Sequence, residues 1–272
     1  MSNIGFIGAG NVTNIILSFN NLKFLKNIVL YDKNAEKVED LINKFNKKYK
    51  IRICNSLQEI LKVSDVIVEA ASIEAVDEIF QILNLDKKFK TKKFIILSVG
   101  GVLKNFKLYK KLISLGYKIY IPSGAIAGCD ALSAVKFSDI KHIELTTIKP
   151  TNTLITSDYI LKNQKLYRKL FKSKKCVVYE GDVYGAIKFF PQNINVAATL
   201  AVVSEVPQKI KVKIIADSKI KRNIHEIKIS SSVGEIFVKV ENVPSPNNPK
   251  TSYLAALSAL ATIKEISVFR NF

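Results

Sequence analysis

A strand-like run near the start of the chain leads directly into a short glycine loop and a helical pattern. IGFIG (4–8) is apolar, GAGNVT (8–13) follows, and apolar side chains then recur at 12, 15, 16 and 19. This order is typical of the dinucleotide-binding fingerprint G-x-G-x-x-G, although Thr13 stands in place of the third glycine. The first glycine permits a tight turn and the second lets a pyrophosphate approach the backbone, so we expect Gly8 and Gly10 to keep those roles.

The residues that open the helix belong to the same predicted cradle. Asn11 and Val12 supply backbone N–H groups at the helix N-terminus, where a phosphate binds favourably. We expect Thr13 to change packing more than chemistry, since the third glycine serves helix–strand contact. Its hydroxyl can also bond a free backbone group or a phosphate oxygen.

An acidic residue follows the second predicted strand, as the fingerprint requires. Asp32 lies 22 residues beyond Gly10 and can accept hydrogen bonds from the adenosine ribose. This favours NAD over NADP, although the neighbouring Lys33 leaves NADP open.

Strands and helices alternate over the first 120 residues, which predicts a parallel sheet with right-handed crossovers. Strands are predicted at 4–8, 27–32, 51–54, 65–70, 93–101 and 117–124. After residue 124 the strands have few helices between them, at 142–150, 175–182, 211–218, 225–230 and 234–242. Helices are predicted at 193–206 and 252–266, with a loop at 244–250.

The fold class is therefore α/β, with an N-terminal Rossmann-like, doubly wound parallel sheet and a C-terminal α+β domain. The C-terminal domain is expected to contain a mixed or antiparallel sheet. We predict a dinucleotide-binding domain over 1–122, completed by the C-terminal helix in 250–272. A catalytic and dimerisation domain is predicted over 123–249.

Composition limits the possible partners. The net charge of +19 is nearly all lysine spread along the chain, without an aromatic-interleaved basic motif, so we expect no nucleic-acid partner. No stretch approaches the length of a membrane span, and the early strand leaves no room for a signal peptide. Cys54, Cys129 and Cys176 lack metal-site spacing, which favours reduced thiols in the cytoplasm and no metal.

Several stretches outside the glycine loop resemble the L-aspartate dehydrogenase family. These are VEAAS (68–72), SVGG (98–101), SGAIAGCDAL (123–132), FPQNINVAATLA (190–201), NIHEI (223–227) and NPKTSYLAALSAL (248–260). The resemblance implies NAD- or NADP-dependent interconversion of L-aspartate and iminoaspartate by a cytoplasmic homodimer. It also implies that the product feeds quinolinate synthase and hence NAD biosynthesis.

The chemistry of amine oxidation requires a proton acceptor near neutrality, and the chain has two histidines. His225 lies in NIHEI, which matches the catalytic histidine of the family, and is predicted to be the acid/base. Its alternative is a histidine packed at a strand end. His142 matches no such position and is expected to be structural or exposed.

Two asparagines at a helix start and one loop residue are further candidates for cofactor binding. Asn193 and Asn195 lie at the start of an apolar, alanine-rich helix, where capping explains one of them. The resemblance implies that one of them contacts the cofactor, with Asn195 favoured. It also implies a contact from Ala125, through its backbone N–H.

A substrate with two carboxylates requires cations or hydroxyl donors. The candidates are Lys188, Lys250, Thr251 and Ser252, with Arg222 near His225. Asp130 and Glu226 are candidates for orienting the histidine or a substrate ammonium. Two other readings remain open: a dehydrogenase or imine reductase for another small amino or keto acid, and a non-catalytic NAD(H) sensor.

Overall fold

The computed structural model describes residues 2–20, 22, 24–190, 195–245 and 248–268. The chain divides into two compact units, Met1–Gly124 with Ala255–Phe272, and Ala125–Leu254. The first unit ends at residue 124, two residues after the predicted end at 122. The chain returns to this unit at residue 255, five residues after the predicted start at 250.

The first unit contains a six-stranded parallel sheet with helices between its strands. Its strands are β1 (Asn3–Ile7), β2 (Asn27–Tyr31), β3 (Lys50–Ile53), β4 (Val66–Glu69), β5 (Lys93–Ile96) and β6 (Lys118–Tyr120). Its helices are α1 (Asn11–Ser18), α2 (Ala35–Phe45), α3 (Leu57–Val63), α4 (Ile73–Leu85), α5 (Val99–Lys104) and α6 (Phe106–Ser114). The order β3-β2-β1-β4-β5-β6 places the topological switch point between β1 and β4, and ligands of open α/β sheets bind at that point.

Local sequence signals account for several of these helix starts. Asn34, Ser56 and Ser72 each precede a helix, and each side chain accepts a hydrogen bond from a backbone N–H of the first turn. One predicted element is wrong at its end, because the strand expected over 93–101 stops at Ile96. SVGG enters helix α5 instead, and a Cβ on Gly101 would lie 2.7 Å from Val76 Cβ.

The second unit contains a mixed five-stranded sheet with helices and a two-stranded ribbon around it. Its sheet strands are β7 (Ile140–Pro150), β8 (Lys175–Asp182), β9 (Ile210–Asp217), β10 (Asn223–Ser231) and β11 (Gly234–Asn242). Its helices are α7 (Cys129–Val135), α8 (Thr151–Leu154), α9 (Asp158–Lys162), α10 (Gln164–Lys172), α11 (Val183–Phe189) and α12 (Asn195–Ser204).

The sheet order of the second unit is β11-β10-β7-β9-β8. The β7–β9 pair is parallel and the other pairs are antiparallel. These two sheets confirm the predicted fold class. The loop predicted over 244–250 is wrong, because a two-stranded ribbon forms from β12 (Pro244–Ser245) and β13 (Asn248–Ser252).

The last described helix, α13 (Tyr253–Val268), belongs mainly to the first unit. Ala259 and Ile263 are fully buried in the hydrophobic cluster that contains Phe6 of β1 and Leu30 of β2. The C-terminal segment therefore completes the core around the central strands. No helix in the described part of the chain is both long and apolar enough to cross a membrane.

Candidate active site

The glycine loop turns between β1 and α1 at the switch point of the parallel sheet. Gly8 has a φ of +104°, and a Cβ there would lie 2.6 Å from the Ala70 carbonyl oxygen, so only glycine fits. A Cβ on Gly10 would meet no atom within 4 Å, which leaves open space in front of the helix N-terminus. Gly10 is the N-cap of α1 and provides no side-chain cap. The residues present therefore suit the approach of a pyrophosphate.

Thr13 is fully buried, and its hydroxyl donates a hydrogen bond of 2.6 Å to the carbonyl oxygen of Gly8. Of the two partners expected for this hydroxyl, the structure selects a backbone group. The side chain therefore braces the turn from inside, where a glycine could not.

Asp32 also holds the loop. Its Oδ2 accepts a hydrogen bond of 2.7 Å from Ala9 N–H, and its Oδ1 accepts one of 2.9 Å from Asn34 N–H. Each carboxylate oxygen has a second lone pair, so these bonds leave capacity for a ribose hydroxyl. The neighbouring Lys33 ammonium lies 2.5 Å from a Glu78 carboxylate oxygen.

Glu69 at the end of β4 was not identified from the sequence. It is fully buried, and its carboxylate accepts hydrogen bonds from the backbone of Ala71, Ser72 and Ser98 and from the Ser98 hydroxyl. Burial raises its pKa, while these hydrogen bonds act in the opposite direction. The VEAAS stretch (68–72) is the sequence signal that could have pointed to this residue. Through these hydrogen bonds the Glu69 carboxylate connects the loop after β4 to the loop after β5.

The helix-start and loop candidates lie in the second unit. Asn195 is the exposed first residue of α12, and its carbonyl accepts a 2.8 Å hydrogen bond from the Thr199 hydroxyl. Asn193 lies outside the described residues. The carbonyl of Ala125 accepts a 2.8 Å hydrogen bond from the Asn242 amide, and Asn242 in turn accepts one from the Ser252 hydroxyl.

His225 lies on β10 with 3% of its surface exposed. Its Nδ1 is 3.0 Å from the hydroxyl oxygen of Thr147, the residue directly opposite on β7. Burial, and then the charge of Lys149, lowers the pKa of His225 to about 3. The imidazole is therefore neutral at physiological pH, with Nε2 left for a second partner.

Four buried polar residues form what we call the polar cluster: Thr147, Lys149, Asn223 and His225. Each is at most 5% exposed. Thr147 and Lys149 share one face of β7, and Asn223 and His225 share one face of β10, because strand residues two apart point the same way. Sequence reasoning missed Lys149, since nothing local separates it from the many surface lysines.

The other predicted substrate contacts are dispersed. Lys188 is exposed on α11, with its ammonium 5.8 Å from the centre of the Phe189 ring. Lys250 and Thr251 lie on β13, with side chains outside the described part. Arg222 and Asp130 are exposed.

Glu226 lies on the opposite face of β10 from His225, where its carboxylate is 3.9 Å from the Lys239 ammonium. It cannot orient His225, because successive strand residues point to opposite faces. Thr147 contacts His225 instead. His142 is half-exposed, with Nε2 3.2 Å from the Ser230 hydroxyl.

Comparisons with known proteins cover the whole chain. The sequence profile described as "Aspartate dehydrogenase, C-terminal" matches residues 130–266, and "NADP oxidoreductase coenzyme F420-dependent" matches residues 3–100. The L-aspartate dehydrogenase of Methanocaldococcus jannaschii is 39% identical over 98% of this chain and 97% of that protein. The L-aspartate dehydrogenase of Methanococcus maripaludis strain C7 is 42% identical over the same shares.

Solved structures agree with the fold. The aspartate dehydrogenase of Thermotoga maritima is 27% identical with a TM-score of 0.74, and the match covers 100% of this chain and 99% of that one. A homoserine dehydrogenase from Thiobacillus denitrificans has a TM-score of 0.59 at 13% identity, over 99% of this chain and 74% of that one. The second likeness concerns the fold alone.

Proposed function

The chain belongs to the L-aspartate dehydrogenase family, and we propose that it interconverts L-aspartate and iminoaspartate, or oxaloacetate plus ammonia, with NAD(P) and with His225 as the acid/base. Near-full-length identity of about 40% to L-aspartate dehydrogenases carries the proposal. A bound nicotinamide would supply the hydride acceptor for oxidation at the substrate Cα and, in its reduced form, the hydride donor for the reverse reaction. The first unit holds the dinucleotide with Gly8, Gly10 and Asp32, and with the Asn11 and Val12 backbone.

The contact with Thr147 supports the role of His225. If Nδ1–H donates to the Thr147 hydroxyl, the lone pair of Nε2 can accept a proton from the substrate ammonium. L-Aspartate carries two carboxylates and one ammonium, so its net charge of −1 opposes the Lys149 charge and raises the pKa of His225 from about 3.

We propose NAD as the preferred cofactor. The Asp32 carboxylate repels the 2′-phosphate of NADP, and the Lys33 ammonium, which could relieve this, is engaged by Glu78 at 2.5 Å. Ala125 and Asn195 remain proposed contacts of the cofactor in the second unit, and Asn193 remains a prediction. A higher kcat/KM for NADPH than for NADH would contradict this preference.

The test of the reaction is reduction of oxaloacetate with ammonia and NADH. We expect His225→Ala to lower kcat on the order of 10²-fold or more while NADH still binds. His142→Ala is the matched control and should retain activity, because His142 lies on the other face of the sheet. Near-normal turnover of His225→Ala would contradict the assignment.

The same assay separates the alternatives. A dehydrogenase or imine reductase for another small amino or keto acid would prefer a different keto acid over oxaloacetate. A non-catalytic NAD(H) sensor would bind NADH without turnover, and His225→Ala would change nothing.

We further propose a homodimer formed through the outer face of the second sheet. Phe237 is 68% exposed there, among Glu226, Lys239 and Glu241. Such a mixture of opposite charges can complement itself across a two-fold axis. A mass of 30.4 kDa in light scattering, that of one chain, would contradict the dimer.

We also propose that the protein is cytoplasmic and that it supplies iminoaspartate to quinolinate synthase. Iminoaspartate hydrolyses in water, so quinolinate synthase benefits from an enzyme that forms it continuously. In a coupled assay, aspartate with the dehydrogenase should therefore give quinolinate faster than equimolar oxaloacetate and ammonia without the dehydrogenase. Equal rates would contradict this supply.

A further inference from the structure

The buried face of the second sheet changes from apolar to polar at one end. Its apolar part contains Ile143, Leu145, Ile227 and Ile229, all at most 2% exposed. Beyond them lies the polar cluster. Thr147 and His225 lie opposite each other, and Ile148 and Ile224 form the next pair along the two strands. Lys149 and Asn223 follow one residue further on. Because directly opposite strand residues lie about 5 Å apart, all four side chains occupy one small area.

Lys149 places a positive charge in this area at some energetic cost. It is 5% exposed, and burial lowers its pKa to about 8. Below that pH the ammonium keeps its charge, and this charge already acts on the His225 imidazole. A cation in this position attracts an anionic group that approaches it, because Coulomb attraction is strong where water is largely excluded.

Asn223 is 3% exposed, and its Oδ1 accepts no hydrogen bond from any of the described residues. An unsatisfied buried acceptor destabilises the folded state, because its hydration is lost and not replaced. A ligand with an N–H group would supply the missing donor.

We propose that Lys149 and Asn223 bind the substrate beside His225. The Lys149 ammonium binds one carboxylate of the dicarboxylic amino acid, and the Asn223 carbonyl accepts a hydrogen bond from its amino group. This places the nitrogen that loses its proton within the area shared with His225. The inference rests on the proposed function, and it assigns roles to two residues in place of the dispersed lysine candidates.

The experiment measures binding of L-aspartate and of succinate to the NADH complex of the intact protein by calorimetry. Neither ligand can react with NADH, so binding is separated from turnover. Lys149→Met should raise the Kd of both ligands at least tenfold, because both carry two carboxylates. Asn223→Leu should raise the Kd of L-aspartate at least tenfold and that of succinate less than twofold, because succinate has no amino group.

Two controls keep the outcome interpretable. Lys165→Met removes an exposed lysine from α10 and should leave both Kd values unchanged. Lys149→Gln repeats the charge removal with a second neutral side chain, and an unchanged Kd for NADH confirms that each variant is folded.

Contrary results have distinct meanings. Succinate binding within twofold of the wild type in both Lys149 variants would overturn the role of Lys149. Equal weakening of both ligands by Asn223→Leu would overturn the role of Asn223. A wild-type protein that neither reduces oxaloacetate nor binds L-aspartate would instead contradict the proposed function.

Discussion

His225 illustrates how burial decides the chemistry of a single residue. An imidazole in water has a pKa near 6.5, whereas burial and the Lys149 charge lower that of His225 to about 3. As pH falls below about 6.5 the unfolded chain therefore takes up a proton before the folded chain does. The folded state loses stability through this group between about pH 6.5 and pH 3.

Proton NMR can follow this residue because the chain has only two histidines. In a His142→Gln background we expect the single imidazole signal not to titrate between pH 5 and pH 8. Adding Lys149→Met should raise the pKa of His225 but leave it below 6.5, because burial is the larger cause of the shift. A midpoint near 6.5 without the Lys149 change would contradict the buried, neutral imidazole.

At the scale of the element, β1, the glycine loop and α1 act as one unit. The loop is held by the Gly8 N–H bond to the Tyr31 carbonyl, by Asp32 on Ala9 N–H and by Thr13 on the Gly8 carbonyl. Three hydrogen bonds from two directions fix the turn that faces the phosphate position. The residue that breaks the fingerprint therefore contributes to the shape of the cradle.

Substitutions at Thr13 test this contribution. Thr13→Val keeps the branched shape but removes the hydroxyl donor, so we expect a loss of about 1 kcal/mol in stability and a several-fold higher Kd for NADH. Thr13→Ser keeps the donor and should bind NADH nearly as the wild type does. Fluorescence titration with NADH and urea unfolding measure the two quantities.

A further variant separates packing from hydrogen bonding. Thr13→Gly restores the complete fingerprint but removes both the donor and buried volume, so it should bind NADH less tightly than the wild type. Tighter binding by Thr13→Gly would contradict a bracing role for Thr13.

At the scale of the whole molecule, the chain returns to its first unit after completing the second. Ala259 and Ile263 of α13 are fully buried in the same cluster as Ile4 and Phe6, more than 250 positions away along the sequence. The dinucleotide-binding unit thus depends on the last helix for part of its core. Its stability cannot be assigned to the first 124 residues alone.

Ile263→Ala tests this dependence. Removing a fully buried isoleucine side chain should lower the free energy of unfolding by about 2–5 kcal/mol. The neighbouring exposed Lys264 provides a control, since Lys264→Ala should change stability by less than about 0.5 kcal/mol. NADH binds the folded first unit, so it should shift the unfolding transition of that unit to higher urea concentration. Urea unfolding with and without NADH therefore shows which transition belongs to the first unit.

Local patterns predicted most of the elements, and they failed where distant contacts intervene. Strands such as 175–182 and 234–242 match β8 and β11 residue for residue. SVGG was predicted as strand because it continues an apolar run, yet it becomes helical where Gly101 packs against Val76 of α4. The ribbon over 244–252 was missed because pairing of β12 with β13 has no local periodicity.

The sequence by itself determined the alternation of strands and helices, the glycine loop with Asp32, and the motif that contains His225. Each depends on residues close together in the chain, where spacing alone carries the information. Only the tertiary structure decided that Thr13 braces Gly8, that Thr147 rather than Glu226 contacts His225, and that Lys149 is buried beside Asn223. The register of β7 against β10 brings together residues about 75 positions apart in the sequence. Burial then lowers the pKa of Lys149, which nothing in its local sequence distinguishes from the surface lysines.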